Sequence, residues 1–300
     1  MTSESQQGIY RWTKILRSES EVEHWQAAIE AALLLNAMIS HIAGKKSWKL
    51  EIFDPALTQL KPWQDQFDGK IEHLSTADLL AMSQPAVDQQ TSLLKIRDRI
   101  VITQAAASEQ IEQVRQQFPK RIVLSYPPAL AFGTGEHATT ATCLRLICDF
   151  CKKRQSKSKQ AWHFLDLGCG SGILSAAAKA MGASSVIGMD FDPMAIRAAH
   201  RLAEINGLQN SELIEADVLK WQPPAQHSYD LIVANIFHDV LIELFPNIPK
   251  WLKPDGELIL SGILGTQEKS CLHAAEQAGF VFDKVVRKGK WSTAHGKLRA

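Results

Sequence analysis

The chain has 300 residues, 45% of them hydrophobic, and a formal net charge of +1, a size that suggests about two globular cores. No apolar stretch approaches the roughly 20 residues needed to cross a bilayer, and the near-neutral balance argues against bulk electrostatic binding of nucleic acid. The opening MTSESQQGIYRW carries no secretory pattern, and five cysteines without a paired framework fit a reducing compartment, so the expected location is the cytoplasm.

Ile9 to Leu16 reads as a strand, and Ser18 with Glu21 forms a capping-box pattern for a helix expected to run to about Ile42, with Val22, Trp25 and Ile29 on its apolar face. Trp48 to Phe53 alternates as a half-buried strand. A turn at Asp68-Gly69 precedes a strand at Lys70 to Leu74, and a short helix is expected around Asp78 to Met82. Ser92 to Thr103 is hairpin- or strand-like. The order strand, helix, strand, strand, helix, strand suggests a small α+β domain over residues 1–103. Gln104 to Phe118 is a polar helix pattern, taken as a connector over residues 104–120.

Residues 121–300 read as a second domain. Arg121 to Ser125 is a strand candidate leading into PPALAFGTGEHATT, where Thr139 and Thr140 precede a helix over Ala141 to Phe150. Hydroxyls at a helix start are either ordinary caps or ligand contacts. Cys143, Cys148 and Cys151 share that helix with Leu144 and Leu146, which favours packing over metal binding for the C-x-x-C pair. The basic run KKRQSKSKQ, from Lys152 to Gln160, is expected to be a solvated loop, with a nucleic-acid or acidic-partner contact as the alternative.

The informative stretch is FLDLGCGSGILSAAAKAMGASSVIGMDFDP, Phe164 to Pro193. The apolar run through Leu167 is short enough for a buried parallel strand. Gly168, Gly170 and Gly172 let a ligand approach backbone at the start of an alanine-rich helix, whose N–H groups favour an anion. A second strand, Ser185 to Met189, ends at Asp190, placed to accept hydrogen bonds from ribose hydroxyls. The register is G-x-G-x-G, with Ile173 where a dinucleotide fingerprint has its third glycine, and it resembles the S-adenosylmethionine loop of Rossmann-like methyltransferases.

The alternation continues. A helix over Met194 to Ile205 ends at Asn206-Gly207, and a strand over Glu212 to Ala216 is followed by Asp217, an acceptor for an adenine amino group or a turn cap. A strand over Tyr229 to Ala234 ends at Asn235. A helix over Asp239 to Leu252, a strand at Glu257 to Ser261, a helix at Gln267 to Ala278 and two terminal strands complete an α/β doubly wound sheet. His137 and His238 lie near the expected pocket mouth as proton shuttles or structural histidines, and Asp239 reads as a helix cap.

Together AFGTGEHATTATCL, LDLGCGSGILSAAAKAMGA, VIGMDFDPMAIRAA, DLIVANIFHDVLIEL and LKPDGELILSGIL resemble the bacterial ribosomal-protein methyltransferases of the PrmA type, over about residues 121–300. The resemblance implies a class I methyltransferase domain behind an α+β substrate-recruiting domain, S-adenosyl-L-methionine as cofactor, and amino groups of the eleventh large-subunit ribosomal protein as acceptors. It implies cofactor contacts at Thr140, Gly168, Asp190 and Asn235, to which Phe132, Thr134, Gly170 and Asp217 are added. Asn235 is the expected orienting residue of catalysis, with His137 beside it. Ala138 stands where the family usually has proline, and Glu136 is an unusual acid there.

Overall fold

The computed structural model describes residues 8–18, 20–22, 24, 25, 29, 37–42, 47–75, 78, 93–127, 138–157, 161–208, 211–224 and 228–299. The chain divides into two compact units, Met1–Gln89 and Gln90–Ala300.

The first unit is a four-stranded antiparallel sheet of order β2-β3-β1-β4, made of β1 (Gly8–Leu16), β2 (Ala37–His41), β3 (Trp48–Asp54) and β4 (Lys70–Ser75). Helix α1 (Leu57–Phe67) precedes β4, and of the expected elements the strands at 9–16, 48–53 and 70–74 are present, whereas β2 and α1 were not expected. One sheet face carries Trp12, Leu16, Leu50 and Ile52, which pack with Trp25 and Leu60. Two expectations are corrected. The first helix does not reach Ile42, because Ala37–His41 pairs with β3 as an edge strand. Sequence patterning also missed α1, whose Pro62 and weak apolar periodicity hide Leu60 and Trp63 on its inner side. Half of the expected capping box is formed: Glu21 N–H donates to Ser18 Oγ, while Glu21 Oε2 accepts from Arg17 N–H, one residue before the cap. Of the helix expected at 78–82, only Asp78 is among the described residues.

The second unit starts earlier than residue 121. Strands β5 (Leu93–Ile96) and β6 (Ile100–Thr103) form a hairpin, and β6 pairs in parallel with β7 (Ile122–Ser125). Between them α2 (Ser108–Gln117) is a crossover packed on the same small sheet, with Val101, Val114 and Val123 in contact, not a free connector. The division at Gln89 therefore replaces the expected boundary at residue 103.

The main sheet has seven strands in the order β10-β9-β8-β11-β12-β14-β13. Its members are β8 (His163–Leu167), β9 (Ser185–Asp190), β10 (Glu212–Glu215), β11 (Tyr229–Asn235), β12 (Leu252–Leu264), β13 (Phe280–Lys288) and β14 (Trp291–Leu298). The first five run parallel, and β14 is antiparallel to both its neighbours, β12 and β13. Helices cover both faces, so the central strands read as nearly continuous apolar runs. Phe164, Leu231 and Val233 face α3 (Ala138–Lys157) and α4 (Ile173–Ala180), while Leu165, Leu167, Ile232 and Ala234 face α6 (His238–Leu244) and α8 (Glu268–Gln277). Helix α5 (Pro193–Ile205) is capped by Asp192, whose Oδ1 accepts from Met194 N–H.

Two further boundaries differ from expectation. Helix α3 continues to Lys157, so most of the basic run is helical, and Arg154 pairs with the buried Asp230 at the start of β11. The helix expected over 239–252 breaks at Pro246, giving α6 and the short α7 (Ile248–Trp251).

Candidate functional site

The sheet reverses its winding between β8 and β11, and such switch points open a crevice beyond the carboxyl ends of the strands. The register aligns Ala234 with Leu167, Leu167 with Met189, and Met189 with Ile214. One residue further along, Asn235, Gly168 and Asp190 therefore stand in adjacent positions at that edge. The sequence motifs 168–172, 190 and 235 are thus brought into one row by the parallel ladder.

Gly168 has φ 69° and Gly170 φ 53°, conformations that L side chains rarely adopt. Gly170 N–H donates to Asp190 Oδ2 at 2.9 Å, and Asp192 N–H donates to Asp190 Oδ1 at 3.0 Å. The carboxylate therefore ties the glycine loop to the tip of β9, and its remaining lone pairs are free to take ribose hydroxyls. A β-carbon on Gly168 would collide with Ile236 Cγ2, whereas one on Gly170 would meet nothing within 4 Å. The loop is packed from behind at Gly168 and open in front at Gly170, which is the cradle an approaching ligand requires.

Below this loop lies a buried polar layer around Asp166, the acid that precedes the first glycine, whose partners the sequence did not reveal. Ser175 Oγ donates to Asp166 Oδ2 at 2.7 Å, while Asp166 Oδ1 is buried without a hydrogen-bond partner. Burial pushes the Asp166 carboxyl up to about 7, against the opposing effect of Ser175. Tyr126, buried at the end of β7, is hydrogen-bonded to Ser171 of the loop, and desolvation raises its phenol to about 12. All five cysteines are buried with thiols raised by desolvation. No cluster suited to a metal occurs among the described residues.

Thr139 and Thr140 are buried within the first turn of α3, inside the helix and not at its cap. Asp217 lies in the turn after β10, where its Oδ1 accepts Leu219 N–H at 3.0 Å and Lys220 pairs with Oδ2 at 3.0 Å, lowering its pKa. Asp239 is not the cap of α6, since Phe237 holds that position. Instead Asp239 Oδ1 engages His238 Nδ1 at 2.7 Å, and His238 Nε2 meets Ser270 Oγ at 3.1 Å. Phe132, Thr134, Glu136 and His137 lie outside the described residues. Around the crevice, Phe191, Met194 and Phe237 are the exposed large apolar side chains, at 78%, 62% and 62%. Only their position next to Asp190 and Asn235 signals them in the sequence.

The row Gly168, Asp190 and Asn235, with the open cradle at Gly170, fits S-adenosylmethionine: an acid for the ribose, backbone for the methionine portion and apolar side chains for the adenine. A family model described as ribosomal protein L11 methyltransferase (PrmA) matches residues 51–299. The ribosomal protein L11 methyltransferase of Pasteurella multocida is 42% identical over 172 residues, 57% of this chain and 55% of that protein. That of Mannheimia succiniciproducens is 40% identical over 183 residues, 60% of this chain and 58% of that protein. The matched stretch thus spans little more than half the length of these curated relatives. A crystal structure of ribosomal protein L11 methylase from Lactobacillus delbrueckii subsp. bulgaricus superposes with a TM-score of 0.54 at 25% identity, covering 71% of this chain and all of that one.

Proposed function

Because the chain belongs to the ribosomal protein L11 methyltransferase (PrmA) family, we propose that it transfers methyl groups from S-adenosylmethionine to amino groups of a large-subunit ribosomal protein. The observation that carries this reading is the single row of Gly168, Asp190 and Asn235 at the switch point, with the glycine loop tied to Asp190 through Gly170 N–H.

In this reading Asp190 holds the ribose, the 168–172 loop approaches the methionine portion, and Thr140 and Asp217 complete the cofactor contacts, with Phe132 and Thr134. The cofactor supplies a methyl group on a positively charged sulfur, ready for in-line displacement. The protein's work is alignment and exclusion of water. Asn235, at the end of β11, orients the acceptor amine through its amide and neighbouring carbonyls. A lysine ammonium has a reference pKa of about 10.4, so the acceptor must lose its proton before attack, which a desolvated pocket favours. His238, held by Asp239 on one nitrogen and Ser270 on the other, connects the site edge to an exposed carboxylate and can pass that proton outward. His137 is a second candidate for that step. The residue 1–89 unit recruits the acceptor protein, and the ribosomal acceptor places the enzyme in the cytoplasm.

The test is incubation of the full chain with radiolabelled S-adenosylmethionine and isolated large-subunit proteins, with Asp190→Ala as control. Label on the L11 protein that is lost in the control supports the reading. Label confined to other proteins or small amines, or cofactor binding without label, rejects it.

A further inference from the structure

The net charge of +1 describes the whole chain, but its cations are not evenly spread. The turn joining β5 to β6 holds Arg97 at φ 53°, a conformation unusual for a residue with a side chain. The turn is closed by Arg99 N–H on Ile96 O at 3.3 Å, and Arg121 donates to Arg97 O at 2.8 Å. Both turn arginines reach α3: Arg97 to Asp149 Oδ2 at 2.7 Å and Arg99 to Gln155 Oε1 at 2.6 Å. A cavity of about 310 Å³ lies there, lined by Arg97, Asp98, Arg99, Cys148, Asp149 and Lys152.

Asp149 is already shared by Arg97 and by Lys284, at 2.7 and 3.4 Å. Among the described residues, no carboxylate lies within ion-pair distance of Arg99, Arg121 or Lys152. Arg97, Arg99 and Lys152 line the cavity with Asp98 and Asp149, and Arg121 and Lys284 bond to Arg97 O and Asp149, so five cations face two carboxylates, a local excess of +3 on a chain that totals +1. Arg154, two residues beyond Lys152, is tied to Asp230 at the start of β11. The patch thus sits toward the amino-terminal edge of the strands, away from the glycine loop.

We infer that this face binds the phosphate backbone of RNA. Planar guanidinium forks held on a closed turn, with a lysine across the cavity, suit phosphate oxygens, and a chain of regularly spaced phosphates engages all of these cations at once. The choice of RNA over other polyanions rests on the proposed acceptor, a protein of an RNA-containing particle.

Binding of a fluorescein-labelled 20-nucleotide single-stranded RNA to the full chain, followed by anisotropy, tests this. With about four phosphate contacts, affinity should fall about 50-fold between 50 and 200 mM KCl. The double variant R99E/K152E should bind at least about tenfold more weakly at 50 mM. Its melting temperature and its S-adenosylmethionine affinity should match the wild type. A control, K250E/K269E, changes as much charge elsewhere on the same unit and should leave RNA binding unaltered. Equal binding by R99E/K152E and wild type, equal loss in the control, or displacement by poly-glutamate as effective as by unlabelled RNA would overturn the proposal. The assay needs neither cofactor nor acceptor protein, so its failure and failure of methyl transfer are separately visible.

Discussion

Ile236 occupies the space that a β-carbon on Gly168 would need, with its Cγ2 inside 3.0 Å of that position. The contact couples the first glycine of the loop to the residue that follows Asn235, so the two halves of the site are set by one packing interaction. Gly168→Ala should therefore move the β11–α6 junction and weaken S-adenosylmethionine binding by more than about tenfold, with strain of order 1–2 kcal/mol from its φ alone. The double variant Gly168→Ala/Ile236→Ala should recover part of the affinity by calorimetric titration. Gly170→Ala meets open space. It should cost only the backbone strain in a melting experiment yet block the cofactor, and unchanged affinity there would sink the cradle assignment.

Asp190 bonds the glycine loop and, in the proposed reading, also holds the ribose, and the two duties are separable. Removing the carboxylate in Asp190→Ala deletes a charged acceptor, a loss of about 1.5–3 kcal/mol, or roughly 10- to 150-fold in affinity. Asp190→Asn keeps one oxygen for Gly170 N–H or for ribose, so its affinity should fall between the two. If Asp190→Ala bound the cofactor as tightly as wild type, the ribose would have to lie elsewhere.

Much of this site was legible because it follows local rules. Parallel strands buried on both faces appear as apolar runs, the glycines mark the turn, and Asp190 and Asn235 end their strands as the patterns require. What was not legible depends on distant partners. Residues 92–118 read as a hairpin and a connector, because nothing local reveals that β6 pairs with β7 across α2. Asp166 and Ser175 form a buried pair only once α4 folds back on β8. The basic run beyond Phe150 looked like a loop, yet the Arg154–Asp230 pair, 76 residues apart, anchors it as helix.

Asn206 shows the same long reach. Read as a helix end, it also accepts Ser125 N–H at 2.7 Å and donates to Ser125 O at 2.9 Å, closing the backbone of the edge strand β7. Ser125 is fully buried, so Asn206→Ala leaves both groups without a partner. Each such group costs about 1–3 kcal/mol. The variant should lose about 2–4 kcal/mol of unfolding free energy in urea, whereas Gly207→Ala should lose only about 1 kcal/mol. Equal losses would place the effect in the helix cap and not in the strand.

His295 on β14 is buried between two carboxylates, with Nδ1 on Asp283 Oδ1 at 2.5 Å and Nε2 on Glu257 Oε2 at 2.6 Å. The register of β13 against β14 shifts between Phe282 and Lys284, so Asp283 is the extra residue of a bulge aimed at the imidazole. Burial lowers the pKa of His295, but the bonds to Glu257 and Asp283 outweigh it and the net direction is upward. Asp283 is itself held below its ordinary value, where desolvation is overcome by His295. A raised histidine contributes fully below its unfolded value of about 6.5 and loses that contribution as pH rises through the higher folded value. The lowered Asp283 contributes above about 3.9 and loses it as pH falls through its lower folded value. The cluster is therefore strongest between about pH 4 and 6.5. Urea unfolding should show stability falling as pH rises from about 6.5 toward 9, a slope that His295→Gln should remove. An identical slope in the variant would mean that the pH dependence arises in other groups.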